Sequence, residues 1–182
     1  AEWNMETDPI VPRTFRETEI PLRDYQLSAC ESALDGGVFR SGSIVMGCGD
    51  GKSRVAAELI RRSRRPAVIL APHSVCVDQW VTLIRTFVTE DVWTLSDARR
   101  RWKLHSPIPD VLVSTYHSLV RVTKRMRLHR KVLEGDAVPS SDTLFGDDHT
   151  ADRLLLMLMC KRFGLLIMDE VHMAVADYFI SS

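Results

Sequence analysis

Four short apolar runs, rich in β-branched residues and bounded by polar or turn-forming positions, punctuate the chain: Ser43–Gly47, Ala67–Ala71, Asp110–Ser114 and Leu165–Asp169. Their length and composition predict buried strands, with Val92–Leu95 as a weaker fifth. Between them, apolar positions recur at helical spacing near 23–35, 52–64, 74–88 and 151–162. Strand alternating with helix predicts an α/β fold, a doubly wound parallel sheet with helices on both faces. Such a sheet binds its ligands at the carboxyl ends of the strands. Residues 1–20 carry Pro9, Pro12 and several charges without a period. They read as a linker or the tail of an upstream domain, leaving 21–182 as the lobe.

Composition narrows the class. The 182 residues are 45% hydrophobic and 26% charged, ordinary values that exclude a disordered tail, a collagen-like rod and a coiled coil. Twenty-four basic residues balance twenty-four acidic ones, so any nucleic-acid site must come from local placement. The longest apolar run, Leu154–Cys160, ends at Lys161 and falls well short of the roughly 18–20 residues that span a bilayer. The polar start, Ala1–Asp8, has no apolar signal core, so neither a membrane nor secretion is expected. None of the four cysteines, Cys30, Cys48, Cys76 and Cys160, forms a C-x-x-C pair; this disfavours a zinc ribbon and fits a reducing compartment. One stretch is polarised: 121–131 holds six basic residues and no acid, and 134–152 holds six acids and no Lys or Arg. It reads as a charged, mobile insertion over about 121–152, with electrostatic docking as its functional alternative.

Two segments carry chemistry. Gly47-Cys48-Gly49-Asp50-Gly51-Lys52-Ser53 sits between a predicted strand and a predicted helix. That is the context of a phosphate-binding loop: glycines let the backbone N–H groups face the phosphates, and the helix N-terminus adds positive charge. Lys52 reaches the β- and γ-phosphates and Ser53 ligates Mg²⁺ in this reading; the strict pattern would have Gly where the chain has Met46. The second segment is the apolar strand ending in Asp169-Glu170-Val171-His172. Asp169 would hold Mg²⁺, and Glu170 would orient and deprotonate the attacking water. Each pair of residues alone has a plain structural reading, a helix start or a helix cap. Their order on separate strands of one α/β pattern favours the nucleotide reading.

These motifs resemble the superfamily-2 helicases and, within them, the XPB family of translocases of the transcription and repair factor TFIIH. Other segments agree in order: Pro21-Leu22-Arg23-Asp24-Tyr25-Gln26, Arg40–Val45 leading into the loop, Ser74-Val75-x-Val77-x-Gln79-Trp80, and Val113-Ser114-Thr115-Tyr116-x-Ser118-Leu119. The matches span about 21–178. The resemblance implies a RecA-like P-loop NTPase lobe binding ATP and Mg²⁺ and working on DNA, in the nucleus, with TFIIH-like or repair subunits as partners. Arg23 and Gln26 would read the adenine; Gly47, Cys48, Gly49, Asp50, Gly51, Lys52 and Ser53 would cradle the triphosphate; Ser53 and Asp169 would hold the metal. Lys52, Asp169 and Glu170 would carry catalysis, with His172 coupling the site to a second RecA-like lobe. Ser74, read as a helix N-cap, and Thr115 would meet DNA phosphates. Trp80 fits the apolar period of its helix better than a base-stacking platform. Arg61-Arg62-Ser63-Arg64-Arg65 ends a helix, where cations suit the dipole, so a structural role is preferred to a DNA patch; Arg99-Arg100-Arg101 is the other basic run.

Two departures from that family qualify these expectations. Gly47 and Asp50 stand where it usually has Pro and Ala, and a carboxylate beside a triphosphate is unfavourable by a few kcal/mol per charge pair, taking about 4–6 Å and an effective dielectric near 20. The chain ends soon after Asp169-Glu170, before the Ser/Thr-Ala-Thr motif and the second lobe with its arginine finger, worth on the order of 10³–10⁵ in rate. By itself it is therefore expected to bind nucleotide and hardly turn it over. The alternative is a degenerate paralogue that binds nucleotide or partners as a scaffold. A P-loop kinase or GTPase fits poorly with Arg23-x-x-Gln26 and Asp169-Glu170-x-His172.

Overall fold

A computed structural model describes residues 12–17, 19–35, 38–101, 108–120 and 163–174. The predicted insertion at 121–152 and the helix expected at 151–162 lie outside the described residues. The elements run α1 (Asp24–Ala33), β1 (Leu34–Asp35), β2 (Val38–Phe39), α2 (Lys52–Ser63), β3 (Ala67–Ala71), α3 (Ser74–Phe87), β4 (Val92–Thr94), α4 (Leu95–Arg101) and β5 (Val111–Thr115). A helix α5 follows, described over 116–120, then β6 (Leu165–Met168) and a single turn, α6 (Val171–Ala174).

The main sheet is all-parallel with order β4-β5-β3-β6. Its central strand, β3, is buried at every position, as expected of a parallel strand covered on both faces. Ala67, Ile69 and Ala71 pack with Ala57 and Ile60 of α2 and Trp80 and Ile84 of α3. Val68 and Leu70 pack on the other face with Ala98 of α4 and with Tyr116 and Leu119 of α5. The sheet is thus the α/β layer that the alternating pattern predicts. Register aligns Ala71 with Thr115 and Leu70 with Met168. Asp169 N–H then donates to Leu70 O at 2.9 Å, so the ladder carries one residue past β6 and sets Asp169 in the row of Ala71 and Thr115.

Four sequence expectations are corrected. The strand at Ser43–Gly47 is absent: 40–47 carry no strand, and Val45 is 92% exposed. β-branched composition makes a strand only where a neighbour accepts the backbone bonds, and here the described sheet ends at β6. Met46 alone of that run turns inward, against Cys30, Phe39, Val55 and Leu59. Second, the tail before residue 21 is more than a linker, because Phe15 and Ile20 belong to the core without regular structure around them. Third, a hairpin, β1 with β2, follows α1; Gly36-Gly37 between apolar flanks was its signal. Fourth, α4 was not foreseen, although Thr94 and Asp97 make a reciprocal cap. Thr94 N–H donates to Asp97 Oδ2 at 3.0 Å and Asp97 N–H to Thr94 Oγ1 at 3.2 Å.

The basic end of α2 serves the fold, as expected. Arg61 forks onto Glu58 with two 2.8 Å hydrogen bonds and Arg62 adds one at 2.7 Å. Burial works against the Glu58 carboxylate, but the two guanidinium groups outweigh it and hold its carboxyl below the ordinary range. Its stabilisation is therefore complete above the unfolded carboxyl pKa, about 4.3, and is lost as pH falls through the lower folded value. Glu58→Gln is expected to cost about 1–2 kcal/mol near neutral pH, discounted from a fully buried pair because both arginines are partly exposed. Urea unfolding should show the deficit shrinking well below pH 4; a deficit constant with pH would contradict the account.

Candidate functional site

Gly47–Ser53 joins the extended 40–47 segment to α2. Gly49 and Gly51 both lie in the left-handed region, at φ +82° and +81°, where a side chain would strain the turn. Gly51 has a second reason to be glycine: a Cβ there would come within 2.4 Å of Gln26 Nε2. Gly51 caps α2 without a side-chain hydrogen bond. In the first turn of α2 Arg54 N–H donates to Gly51 O at 2.9 Å, and the helix dipole points its positive end at the loop.

The loop is held from both sides by α1. Gln26 is buried; its Nε2 donates to Asp50 O at 2.6 Å while its Oε1 accepts from Arg23 N–H at 2.8 Å. The Tyr25 hydroxyl also donates to Asp50 O, at 3.2 Å, and accepts from Arg23 Nη1 at 3.3 Å. Both ends of the Gln26 amide are thus spent on the protein, whereas the sequence pointed them at a base. Asp50 turns its carboxylate back into the loop, where Oδ2 accepts from Gly47 N–H at 2.8 Å. A Cβ on Gly47 would meet that oxygen at 2.6 Å, so glycine at 47 and aspartate at 50 form a matched pair.

The two halves of the predicted site come together. Lys52 Nζ lies 3.3 Å from Glu170 Oε1 and donates to Met46 O at 3.4 Å. Glu170 has φ +50°, a left-handed backbone on a residue that rarely adopts it. The turn swings its carboxylate to Lys52 on one side and to His172 Nδ1, at 3.4 Å, on the other. His172 is otherwise exposed. Asp169 is gripped by residues far away in sequence: Trp80 Nε1 donates to its Oδ2 at 2.9 Å, and the Tyr116 hydroxyl donates to its main-chain O at 2.8 Å. Burial, with the charges of Asp169 and Glu170, pushes the Tyr116 phenol up to about 12, so it stays a donor. Trp80 is 4% exposed, which agrees with the core reading; its hydrogen bond to Asp169 was not legible in the sequence.

The two residues expected to face DNA are at the same end of the sheet but differently employed. Ser74 is exposed and is the first residue of α3; His73 is the N-cap, correcting the reading of Ser74 as the cap. Thr115 ends β5 and caps α5, its Oγ1 accepting from Ser118 N–H at 3.2 Å and pairing with Ser118 Oγ at 2.9 Å. Cys48 is an exposed free thiol at the loop tip. Among the described residues no group of three or more His, Cys, Asp or Glu side chains could hold a metal unaided. The donors on hand, the Ser53 hydroxyl at the start of α2 and the Asp169 carboxylate, are hard oxygens. Such donors suit Mg²⁺ sharing its sphere with phosphates and water. At Gly49 a Cβ would meet nothing within 4 Å, so the loop is open there to a phosphate chain, whereas at Gly51 the space is taken by Gln26. No helix among the described residues is long and apolar enough to cross a membrane.

Comparison with known proteins follows the same lines. A protein of Danio rerio named general transcription and DNA repair factor IIH helicase/translocase subunit XPB is 29% identical over 187 residues, covering 98% of this chain and 20% of the relative. A DNA repair helicase/translocase XPB-R of Trypanosoma brucei brucei is 30% identical, covering 88% of this chain and 23% of the relative. A DNA 3'-5' helicase XPB of Mycobacterium tuberculosis is 29% identical, covering 92% and 25%. The chain therefore spans about a fifth to a quarter of the length of these relatives, and the resemblance to XPB translocases holds over nearly all of it. A family model described as "Type III restriction enzyme, res subunit" matches residues 19–181, and on that match the chain belongs to this family, whose RecA-like P-loop fold its parallel sheet displays.

Proposed function

We propose that the chain is the ATP-binding lobe of an XPB-like, ATP-driven DNA helicase or translocase acting in transcription initiation and nucleotide excision repair. The observation that carries this is the 3.3 Å approach of Lys52 to Glu170, which joins the phosphate loop to the acidic strand end at one point. Mg-ATP is the cofactor in this reading. The backbone of Gly47–Ser53 holds the phosphates, Lys52 exchanges Glu170 for the terminal phosphates, and Ser53 and Asp169 hold the metal. The metal's charge offsets that of the phosphates. Glu170, released from Lys52, accepts the proton of the attacking water. Arg23 lies beside the base, and Gln26 reaches it only when its bond to Asp50 O opens. His172 meets the second lobe. Ser74 and Thr115 supply sequence-independent, salt-sensitive contacts to the DNA backbone. TFIIH-like or repair subunits are the proposed partners, and the nucleus the proposed compartment in a eukaryotic host.

One observation favours the second reading, a scaffold with little ATPase: the Asp50 carboxylate already occupies Gly47 N–H inside the loop. Titration of this chain with a fluorescent ATP analogue in Mg²⁺ separates the two. Asp50→Ala should bind about tenfold tighter than wild type, since one unfavourable charge is removed at the cost of one hydrogen bond. Measurable binding by wild type supports the motor lobe; binding only after the substitution supports the scaffold. No binding by either removes the nucleotide site altogether.

A further inference from the structure

Asp169 has four hydrogen-bonding groups, and three are taken by three different elements. Its N–H donates to Leu70 O on β3 at 2.9 Å, its main-chain O accepts from Tyr116 on α5 at 2.8 Å, and its Oδ2 accepts from the indole of Trp80 on α3 at 2.9 Å. Only Oδ1 is without a hydrogen bond from these neighbours. The indole of the buried Trp80 therefore engages one carboxylate oxygen and leaves the other unbonded among the described residues. Ring packing alone would be served equally by phenylalanine, which has no donor to aim.

We propose that Trp80 and Tyr116 are positioning residues: Trp80 holds one oxygen of the Asp169 carboxylate, Tyr116 holds the main chain that carries it, and together they aim the free oxygen at the metal. The proposal rests on the Mg-ATP reading above for the metal's identity, while the clamp itself stands on the geometry. A metal-binding carboxylate whose orientation is fixed in advance loses little entropy when it binds, and removing such a support lowers metal affinity. Trp80 lies in α3, which begins at Ser74, and Tyr116 opens α5 directly after Thr115. A shift of either segment is thereby transmitted to Asp169.

The test uses this chain with Trp80→Phe and Tyr116→Phe, each deleting one donor and keeping a ring in the core. The affinity for the fluorescent ATP analogue is measured in Mg²⁺ and in EDTA. Trp80→Phe should reduce the Mg²⁺-dependent gain by about tenfold and leave the EDTA affinity unchanged; Tyr116→Phe should reduce the same gain by less. An unaltered gain in both variants overturns the proposal. A second readout needs no nucleotide. The chain has four tryptophans, and the indole N–H resonance missing from the Trp80→Phe spectrum identifies Trp80. In Asp169→Ala that resonance should move upfield and exchange faster with solvent. If it stays in place, the clamp does not exist, whatever the chain binds. If it moves while wild type binds no nucleotide, the clamp stands and the Mg-ATP reading fails. Should Trp80→Phe not fold, Tyr116→Phe carries the affinity measurement, and Trp80 is identified as the indole resonance left after Trp3→Phe, Trp93→Phe and Trp102→Phe assign the other three, so that the Asp169→Ala spectrum can still be read.

Discussion

Glu170→Gln is expected to lower ATP turnover by a factor of about 10² to 10⁴, the usual worth of a positioned general base, while nucleotide binding stays as tight or tightens. The asymmetry follows from the site. Glu170 holds Lys52 at 3.3 Å, so the wild-type carboxylate competes with phosphate for the ammonium, and the neutral amide does not. Gln tolerates the φ of +50° at this position no worse than Glu, so the turn should survive the change. The measurement is DNA-stimulated ATPase of this lobe joined to the second motor lobe that the proposed function requires, with kcat and KM determined separately. A kcat within fivefold of wild type would remove Glu170 from the role of base. A raised KM would show instead that it binds substrate.

Lys52→Ala should weaken Mg-ATP binding well over tenfold. An ammonium bonded to phosphate oxygens contributes about 1.5–3 kcal/mol per charge-assisted hydrogen bond, and the Coulomb term in a half-enclosed loop adds to it. Lys52 is partly exposed and, among the described residues, bonded only to Glu170 and Met46 O, so its truncation should leave the core and the thermal midpoint nearly unchanged. Calorimetric titration at fixed ionic strength gives the answer directly. Unchanged affinity would mean that Gly47–Ser53 is an ordinary turn before a helix.

What could be read beforehand divides along physical lines. The four paired strands and the helices α1, α2 and α3 follow from period and turn chemistry, which are local in the chain, and the meeting of Lys52 with Glu170 follows from the two motifs together. Two classes of feature do not. The first depends on a neighbour: Ile44, Val45 and Met46 have strand composition, yet no described strand accepts them. Likewise Phe15 and Ile20 look like isolated apolar residues in a polar tail until the core reaches them. The second is long-range polar pairing. Trp80 and Asp169 are 89 positions apart, and Gln26 and Asp50 are 24 apart. A tryptophan in an apolar period gives no sign of where its N–H will point, and Gln26 gives no sign that both ends of its amide are taken. Asp50 was read as a carboxylate beside the phosphates; its bond to Gly47 N–H closes the loop on itself. The caps at Thr94 and Thr115 were not read either, although a hydroxyl three residues before its polar partner is a local signal.

The alignment of Asp169 with Ala71 and Thr115 has a consequence for how this lobe can vary in length. That row is fixed by strand pairing, and side chains alternate faces along a strand, so gaining or losing one residue inside β6 would carry the acid to the opposite side. In the connection between β5 and β6, Tyr116 and Leu119 at its start and Phe163 and Gly164 at its end are held by the sheet. A change of chain length between those two held ends adds only a closure term, about 0.6 kcal/mol per doubling of a flexible loop, and leaves the register of the acid untouched.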